Sequence, residues 1–257
     1  MHTVLTIAGS DSSGGAGLAA DLKTFAALGC HGALVVTAVT AQDSLGVHAW
    51  LPVPVALLRA QLDSVLVDQK PRAAKTGMLP TASIVRAVAE ALAARPDIAF
   101  VCDPVLAAST GHTLTERDAL AAMRDTLFPL ATVITPNVPE AERLTEREIR
   151  SVEDSIDAAR ELIAGGARAV VVKGGHLPHE PGTDVLVSRD AVARLPAEWI
   201  PSASTHGTGC VFSAAIAAQL AGEASLEDAV RFAKRFTADS IRHGYRPGRG
   251  GAFASPR

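Results

Sequence analysis

Val4-Leu5-Thr6-Ile7-Ala8-Gly9-Ser10-Asp11-Ser12-Ser13-Gly14-Gly15-Ala16-Gly17 runs from a mostly apolar, β-branched stretch into a turn carrying four glycines. Leu18, Leu22 and Phe25 then recur at helical spacing. A strand feeding a glycine-rich turn and a helix is the opening of a βαβ unit. Glycine lets backbone N–H groups approach a ligand closely, and the start of a helix favours negative charge. Gly15-x-Gly17-x-x-Ala20 also fits a loose dinucleotide fingerprint. No acidic residue clearly closes the second strand, Gln42-Asp43 being nearest, so that reading has little support. Asp21 falls in the first turn of the helix, at the edge of its apolar stripe. Two readings stay open for it: a carboxylate that complements the helix dipole, or an acceptor for a ligand hydroxyl or amino group.

Outward from this stretch the same alternation continues. Further strands are predicted at Ala33–Val39, Ala73–Thr76, Ile98–Cys102, Thr132–Thr135 and Ala169–Lys173. Helices are predicted near Leu18–Leu28, Val53–Val67, Ala82–Ala94, Glu116–Thr126 and Val152–Ile163. Most strands are continuous apolar runs, as in parallel sheets covered on both faces. A hairpin is expected from Thr183–Ser188 and Val192–Leu195, followed by helices at Gly209–Leu220 and Leu226–Arg242. The expected fold is a doubly wound, mostly parallel α/β sheet with an antiparallel edge hairpin. No linker or repeat interrupts it, so residues 1–257 are expected to form one domain, with residues from about 244 as a solvated tail.

Composition narrows the function classes. The 257 residues are 48% hydrophobic and 20% charged, with a net charge of −3, which provides no basic footprint for nucleic acid or an anionic membrane. Three cysteines cannot build a disulfide framework and suggest a reducing compartment. No run approaches the ~18 apolar residues of a membrane helix, and the apolar stretch before Gly14 is too short for a signal peptide. The expectation is a soluble cytoplasmic protein.

In open α/β sheets ligands bind beyond the carboxyl ends of the strands. Those ends carry Lys75-Thr76-Gly77-Met78, Asp103-Pro104, Thr135-Pro136-Asn137 with Glu140, and Lys173-Gly174-Gly175-His176. Asp103, Asn137 and Glu140 can hold Mg²⁺ through oxygen and water ligands, and a lysine can neutralise phosphates. Each also has a structural reading: Asn137 or Glu140 as a helix cap, Asp103 as a turn former, Lys75 or Lys173 as a surface residue.

Thr205-His206-Gly207-Thr208-Gly209-Cys210 precedes a helix apolar on nearly every face. A buried helix start leaves N–H groups without partners, and an anion there meets both those groups and the dipole. The same field is expected to lower the Cys210 thiol from ~8.5 to roughly 3.5–7.5. A thiolate there can accept a proton from an alcohol while the amides hold phosphoryl oxygens. There is no P-loop, G-x-S-x-G elbow, H-E-x-x-H or paired Cys-x-x-Cys site. Phosphoryl transfer suits this inventory, since it needs positioning and electrostatics more than covalent machinery.

These segments, with Ala20-Asp21-Leu22-Lys23-Thr24-Phe25, Thr40-Ala41-Gln42 and Val105, resemble in order the bacterial hydroxymethylpyrimidine/phosphomethylpyrimidine kinases. These are a thiamine-pathway branch of the ribokinase superfamily. The resemblance implies a ribokinase-like three-layer α/β/α sandwich and a homodimer. It implies ATP with Mg²⁺, and phosphorylation first of the pyrimidine alcohol and then of its monophosphate. It implies a pyrimidine near Gly9, Asp21, Gln42 and Met78, with Cys210 as catalytic base and Gly207, Thr208 and Gly209 as the anion hole. ATP and Mg²⁺ would lie by Asp103, Asn137, Glu140 and Lys173, with Asp103 and Glu140 on the metal. The chain departs from the family at Ala203-Ser204 and at Ala108-Ser109-Thr110-Gly111, where lysines are common, and at Pro247–Gly251. Alternatives are a pyridoxal or pyridoxine kinase, in which the Gln42 position is commonly apolar, and a non-catalytic sensor of the pyrimidine phosphate.

Overall fold

The computed structural model describes residues 1–108, 111–175, 177–178, 180–196, 200 and 206–257. Of the residues singled out above, Ser109, Thr110, His176, Ala203, Ser204 and Thr205 lie outside them. The elements run β1 (Thr3–Gly9), α1 (Gly17–Ala27), β2 (His31–Asp43), β3 (Gly46–Pro52), α2 (Val55–Asp68), β4 (Ala73–Thr76) and α3 (Ala82–Ala93). They continue with β5 (Ala99–Cys102), α4 (Arg117–Ala122), β6 (Val133–Ile134), α5 (Val138–Thr145), α6 (Val152–Ala164) and β7 (Ala169–Val172). The chain then forms β8 (Asp184–Ser188), β9 (Val192–Leu195), α7 (Thr208–Ala221) and α8 (Leu226–Arg242).

One nine-stranded sheet has the order β3-β2-β1-β4-β5-β6-β7-β8-β9. The strands from β2 through β7 pair in parallel, and β3, β8 and β9 join antiparallel at the two edges. The chain goes from β1 outward to β2, then returns through α2 to β4 on the other side of β1. The strand order therefore reverses between β1 and β4, where such sheets leave a crevice. Helices α2 to α6 bury their apolar stripes with one face of the sheet, through Leu62, Val85, Ala141 and Ile156 among others. Phe25 of α1, Phe212 to Ala218 of α7 and Val230 of α8 cover the other face. This is the expected three-layer sandwich.

Three expectations are corrected. β2 does not stop near Val39 but runs to Asp43 and turns through Ser44-Leu45 into β3, an edge strand the sequence pattern did not reveal. Serine side chains replace backbone partners along this extension. Ser10 Oγ accepts from Thr40 N–H at 3.0 Å, and Ser12 Oγ accepts from Gln42 N–H at 2.7 Å. The helix predicted at Glu116–Thr126 gives way after Ala122 to a π turn, Met123–Leu127. The C-terminal residues are not a solvated tail. Arg246 to Arg249 are exposed, but Phe253 and Ala254 are buried. Phe253 bridges to both Tyr245 and His206, because an aromatic and two alanines find an apolar bed over the first glycine turn.

Candidate active site

Two buried ion pairs lie at the carboxyl edge of the sheet. β1 and β4 are in register at Thr6 and Lys75, and both side chains reach Asp21 of α1. Lys75 Nζ donates to Asp21 Oδ1 and Oδ2 at 2.9 Å each, and Thr6 Oγ1 donates to Oδ2 at 2.6 Å. Neither partner of the pair has any exposed side-chain surface. Burial works against the Lys75 cation, yet Asp21, Cys210 and Asp103 together outweigh it and hold the ammonium protonated. Burial also pushes the Asp21 carboxyl up, against Lys75 and Thr6, and we take the doubly bonded ion pair as the resting state. Asp21 is here the sealed counter-ion of Lys75, which is no surface residue.

The second pair closes β5 and β7. Asp103 Oδ1 accepts from Lys173 Nζ at 3.0 Å and from Thr135 Oγ1 at 2.9 Å, while Oδ2 accepts from Ser213 Oγ of α7 at 3.0 Å. Lys173 keeps 15% of its side chain exposed, and a Cβ built on Gly209 would lie 3.3 Å from its Nζ. The ammonium thus faces the first turn of α7.

Asn137 and Glu140 form a capping box on α5. Glu140 N–H donates to Asn137 Oδ1, and Asn137 N–H donates to Glu140 Oε2, both at 2.8 Å. The capping reading weighed from sequence is therefore realised. Burial pushes the Glu140 carboxyl up to about 7, opposed by Lys173 and assisted by Asp103.

Gly207 caps α7 with φ +81° and no side-chain acceptor. It is in contact with the Gly15 carbonyl, where any Cβ would collide. The two glycine turns, remote in sequence, thus press together. Cys210 packs with Ala20, Val211 and Ala254, and its sulfur accepts from the Gly17 N–H. The expectation of a low-pKa thiol is overturned. Burial pushes Cys210 up to about 11, and Asp21 and Asp103 push the same way, against Lys75 and the Gly17 N–H. Desolvation is the largest of these influences.

Gly9 and Met78 sit side by side: a Cβ on Gly9 would lie 2.9 Å from Met78 Sδ. Met78 belongs to an apolar wall with Ala38, Val47, Leu114 and Trp50. Gln42 is tied to the first glycine turn through Ser12, and its Nε2 lies 3.5 Å from His206 Nε2. On the other side, a cavity of about 240 Å³ opens between α7, α8 and the β7–β8 end. Asn137, Lys173, Thr208 and Gly209 line it alongside the apolar Phe212 and Ile241. The sequence-derived residues converge on one edge, Asp21 lying behind it. Lys75 was weighed only as a phosphate partner or a surface residue, and Asp11 and Ser213 were not assigned to the site from sequence. A lysine inside the otherwise apolar run Ala73–Thr76 was the available signal for the first, and the Asp11-Ser12-Ser13 turn chemistry for the second.

The sheet order and the placement of these turns define a ribokinase-like fold. A family model described as phosphomethylpyrimidine kinase matches residues 11–254, and the chain belongs to that family. It is 42% identical to the hydroxymethylpyrimidine/phosphomethylpyrimidine kinase of Bacillus subtilis, over 94% of this chain and 89% of that one. It is 45% identical to the thiamine biosynthesis bifunctional protein ThiED of Geobacter sulfurreducens over 96% of this chain, but spans only 51% of that relative's length. Among solved structures, an ADP complex of Bacillus subtilis pyridoxal kinase superposes with a TM-score of 0.93 at 38% identity, covering 100% of this chain and 97% of that one. Among the described residues, no helix is long and apolar enough to cross a membrane.

Proposed function

We propose that the chain is an ATP-dependent kinase, one catalytic unit across residues 1–257, that phosphorylates 4-amino-5-hydroxymethyl-2-methylpyrimidine and then its monophosphate in thiamine biosynthesis. The observation that carries this reading is the meeting of the α7 amide mouth with the Lys173–Asp103 pair on one side and Cys210 on the other. Phosphoryl transfer is catalysed chiefly by such positioning and charge stabilisation. The nucleotide occupies the 240 Å³ cavity with its phosphates toward Lys173, and Gly207, Thr208 and Gly209 receive the migrating phosphoryl oxygens. The pyrimidine lies against Gly9 and the Met78 wall, with Gln42 on its polar edge, while Asp21 acts at one remove by charging Lys75.

Cys210 takes the alcohol proton from its minority thiolate form, because the thiol sits near 11 at rest. A new P–O bond forms between the alcohol oxygen and the γ-phosphorus as the bond from that phosphorus to the bridging oxygen breaks. The alcohol proton ends on sulfur, and ADP leaves with the electron pair of the broken bond.

Among the described residues no group of three or more His, Cys, Asp or Glu gathers around one point. Mg²⁺ needs only one or two carboxylates when waters and phosphates fill its remaining positions. Asp103 and Glu140 fit that role, since they repel each other's ionised forms and a cation would relieve this. Bound there, the ion would neutralise phosphate charge. We place the protein in the cytoplasm and expect a homodimer. Val39 and Leu51, cross-strand partners at 57% and 71% exposure, supply an apolar face for a second copy.

The test is mass analysis of products from the pyrimidine alcohol with Mg-ATP. Mono- then diphosphate is the expected result, monophosphate alone would remove the second step, and no product would favour a pyrimidine-phosphate sensor. The similarity to a pyridoxal kinase favours one second reading, phosphorylation of pyridoxal. Faster turnover of pyridoxal in the same assay would establish it.

A further inference from the structure

His206 has no part in the transfer chemistry above, yet it stands where the two glycine turns meet. Asp11 organises the first turn: Oδ1 accepts from Ser13 N–H at 2.8 Å and Ser13 Oγ at 2.6 Å, and Oδ2 accepts from Gly15 and Ala16 N–H at 3.0 and 2.8 Å. The remaining partner comes from the other turn, with His206 Nε2 3.0 Å from Oδ2. The Asp11 side chain is 1% exposed and that of His206 15%. Burial alone would raise the Asp11 carboxyl, yet these hydrogen bonds hold it down at about 2. An ionised carboxylate only accepts, so His206 Nε2 carries the hydrogen. That nitrogen therefore cannot accept from the Gln42 amide 3.5 Å away.

The ring is held from behind. Phe253 lies 4.7 Å from it between centroids, and a Cβ on Gly15 would come within 2.5 Å of both rings. Ala254 N–H donates to the His206 carbonyl at 3.2 Å, and Tyr245 and Phe253 exchange backbone hydrogen bonds at 3.1 and 2.8 Å. Residues 245–254 thus strap His206 onto the first turn. On the kinase reading the two turns serve opposite partners of one reaction: the first, with Gln42 of β2 bound to its Ser12, borders the alcohol side, and Gly207 to Gly209 the phosphoryl side.

We propose that His206 is a positioning residue that locks the first glycine turn, residues 9–17, onto the α7 amide mouth through Asp11, with the C-terminal strap holding it in place. The inference rests on the kinase reading for its catalytic consequence, but the lock itself does not. A misplacement of about 1 Å between reacting groups can cost on the order of 10²-fold in rate. His206→Leu, which fills the space without a donor, is expected to lower kcat by about that factor while the KM values for ATP and alcohol stay within roughly threefold. His206→Gln, which offers an N–H near the Nε2 position, is expected to recover most of the loss. Amide hydrogen exchange over residues 9–17 should accelerate about tenfold or more in His206→Leu and little in His206→Gln. Phe253→Leu, milder for folding, should accelerate the same segment to a lesser degree. Unchanged exchange over residues 9–17 in His206→Leu, or His206→Gln behaving no better than His206→Leu, would overturn the proposal. Should His206→Leu fail to fold, unchanged exchange in Phe253→Leu would overturn it instead. Wild-type protein that phosphorylates neither alcohol would remove the kinase reading alone, because the exchange measurement needs no turnover.

Discussion

Asp21–Lys75 and Asp103–Lys173 are the same chemical pair placed in two different surroundings. The first is sealed, with no side-chain exposure and both carboxylate oxygens on one ammonium. The second is open at its cation, and its carboxylate divides its acceptors among Lys173, Thr135 and Ser213. Separating two charges inside a protein is costly, so a sealed pair cannot be redistributed during a reaction. It can only fix geometry and field. An open pair keeps the option of turning its cation toward a newly arrived anion, while hydroxyls keep the carboxylate satisfied. Position in the sheet sets the difference: Lys75 lies on β4 between β1 and β5 with its Nζ on Asp21 of α1, and Lys173 lies at a strand end facing a cavity.

The largest expected effect tests the sealed pair. Lys75→Met strands the Asp21 charge and should lower stability by about 3–5 kcal/mol in denaturant melts. Adding Asp21→Asn should recover much of it, and a double variant no better than the single would break the paired description. At the open pair the loss should appear in turnover instead. Lys173→Met is expected to reduce kcat by about 10²–10³-fold, while stability falls by only about 1–2 kcal/mol because Thr135 and Ser213 still serve Asp103. Equal stability losses at both lysines would erase the distinction.

Glu140, beside the open pair, should report through pH. Its folded-state value near 7 lies above the ordinary 4.5. The folded protein therefore binds the extra proton between these values. Its contribution to stability is full at the acid end and is lost as pH rises from about 4.5 to about 7, by roughly 3 kcal/mol without ligand. Glu140→Gln should flatten that slope in thermal melts recorded across the window. A comparable slope per pH unit is expected at Cys210, which both pairs influence. If its thiolate is the base, kcat/KM should climb about tenfold per pH unit in the alkaline range toward 11, and Cys210→Asp should lose the climb. A flat alkaline profile in the wild type would assign the proton to another acceptor.

The sealed pair also explains which parts of the site could be read in advance. Cys210, Gly207 and Gly209 announce themselves, because glycines before an all-apolar helix leave N–H groups that only a ligand or a close backbone can satisfy. Asp103 and Lys173 are legible as strand-end polar residues. Lys75 was seen but misplaced, since nothing local says that Thr6 and Lys75 come into register and meet α1 there. The hairpin at Gln42-Asp43 was missed because its polar residues pair with serines of a distant turn rather than following strand alternation.

The order of apolar runs and helical spacings by itself determined the doubly wound sheet, since only helices packed on both faces bury such strands. The glycine turns fixed where backbone N–H groups would be left open. Tertiary structure alone decided the charge states and the closure. Whether a helix dipole or desolvation governs the Cys210 thiol depends on everything packed around it. The burial of Phe253 over His206 depends on a surface that exists only once both glycine turns have met. Local pattern encodes periodicity and backbone freedom, whereas electrostatics and burial are sums over neighbours that sequence spacing does not place.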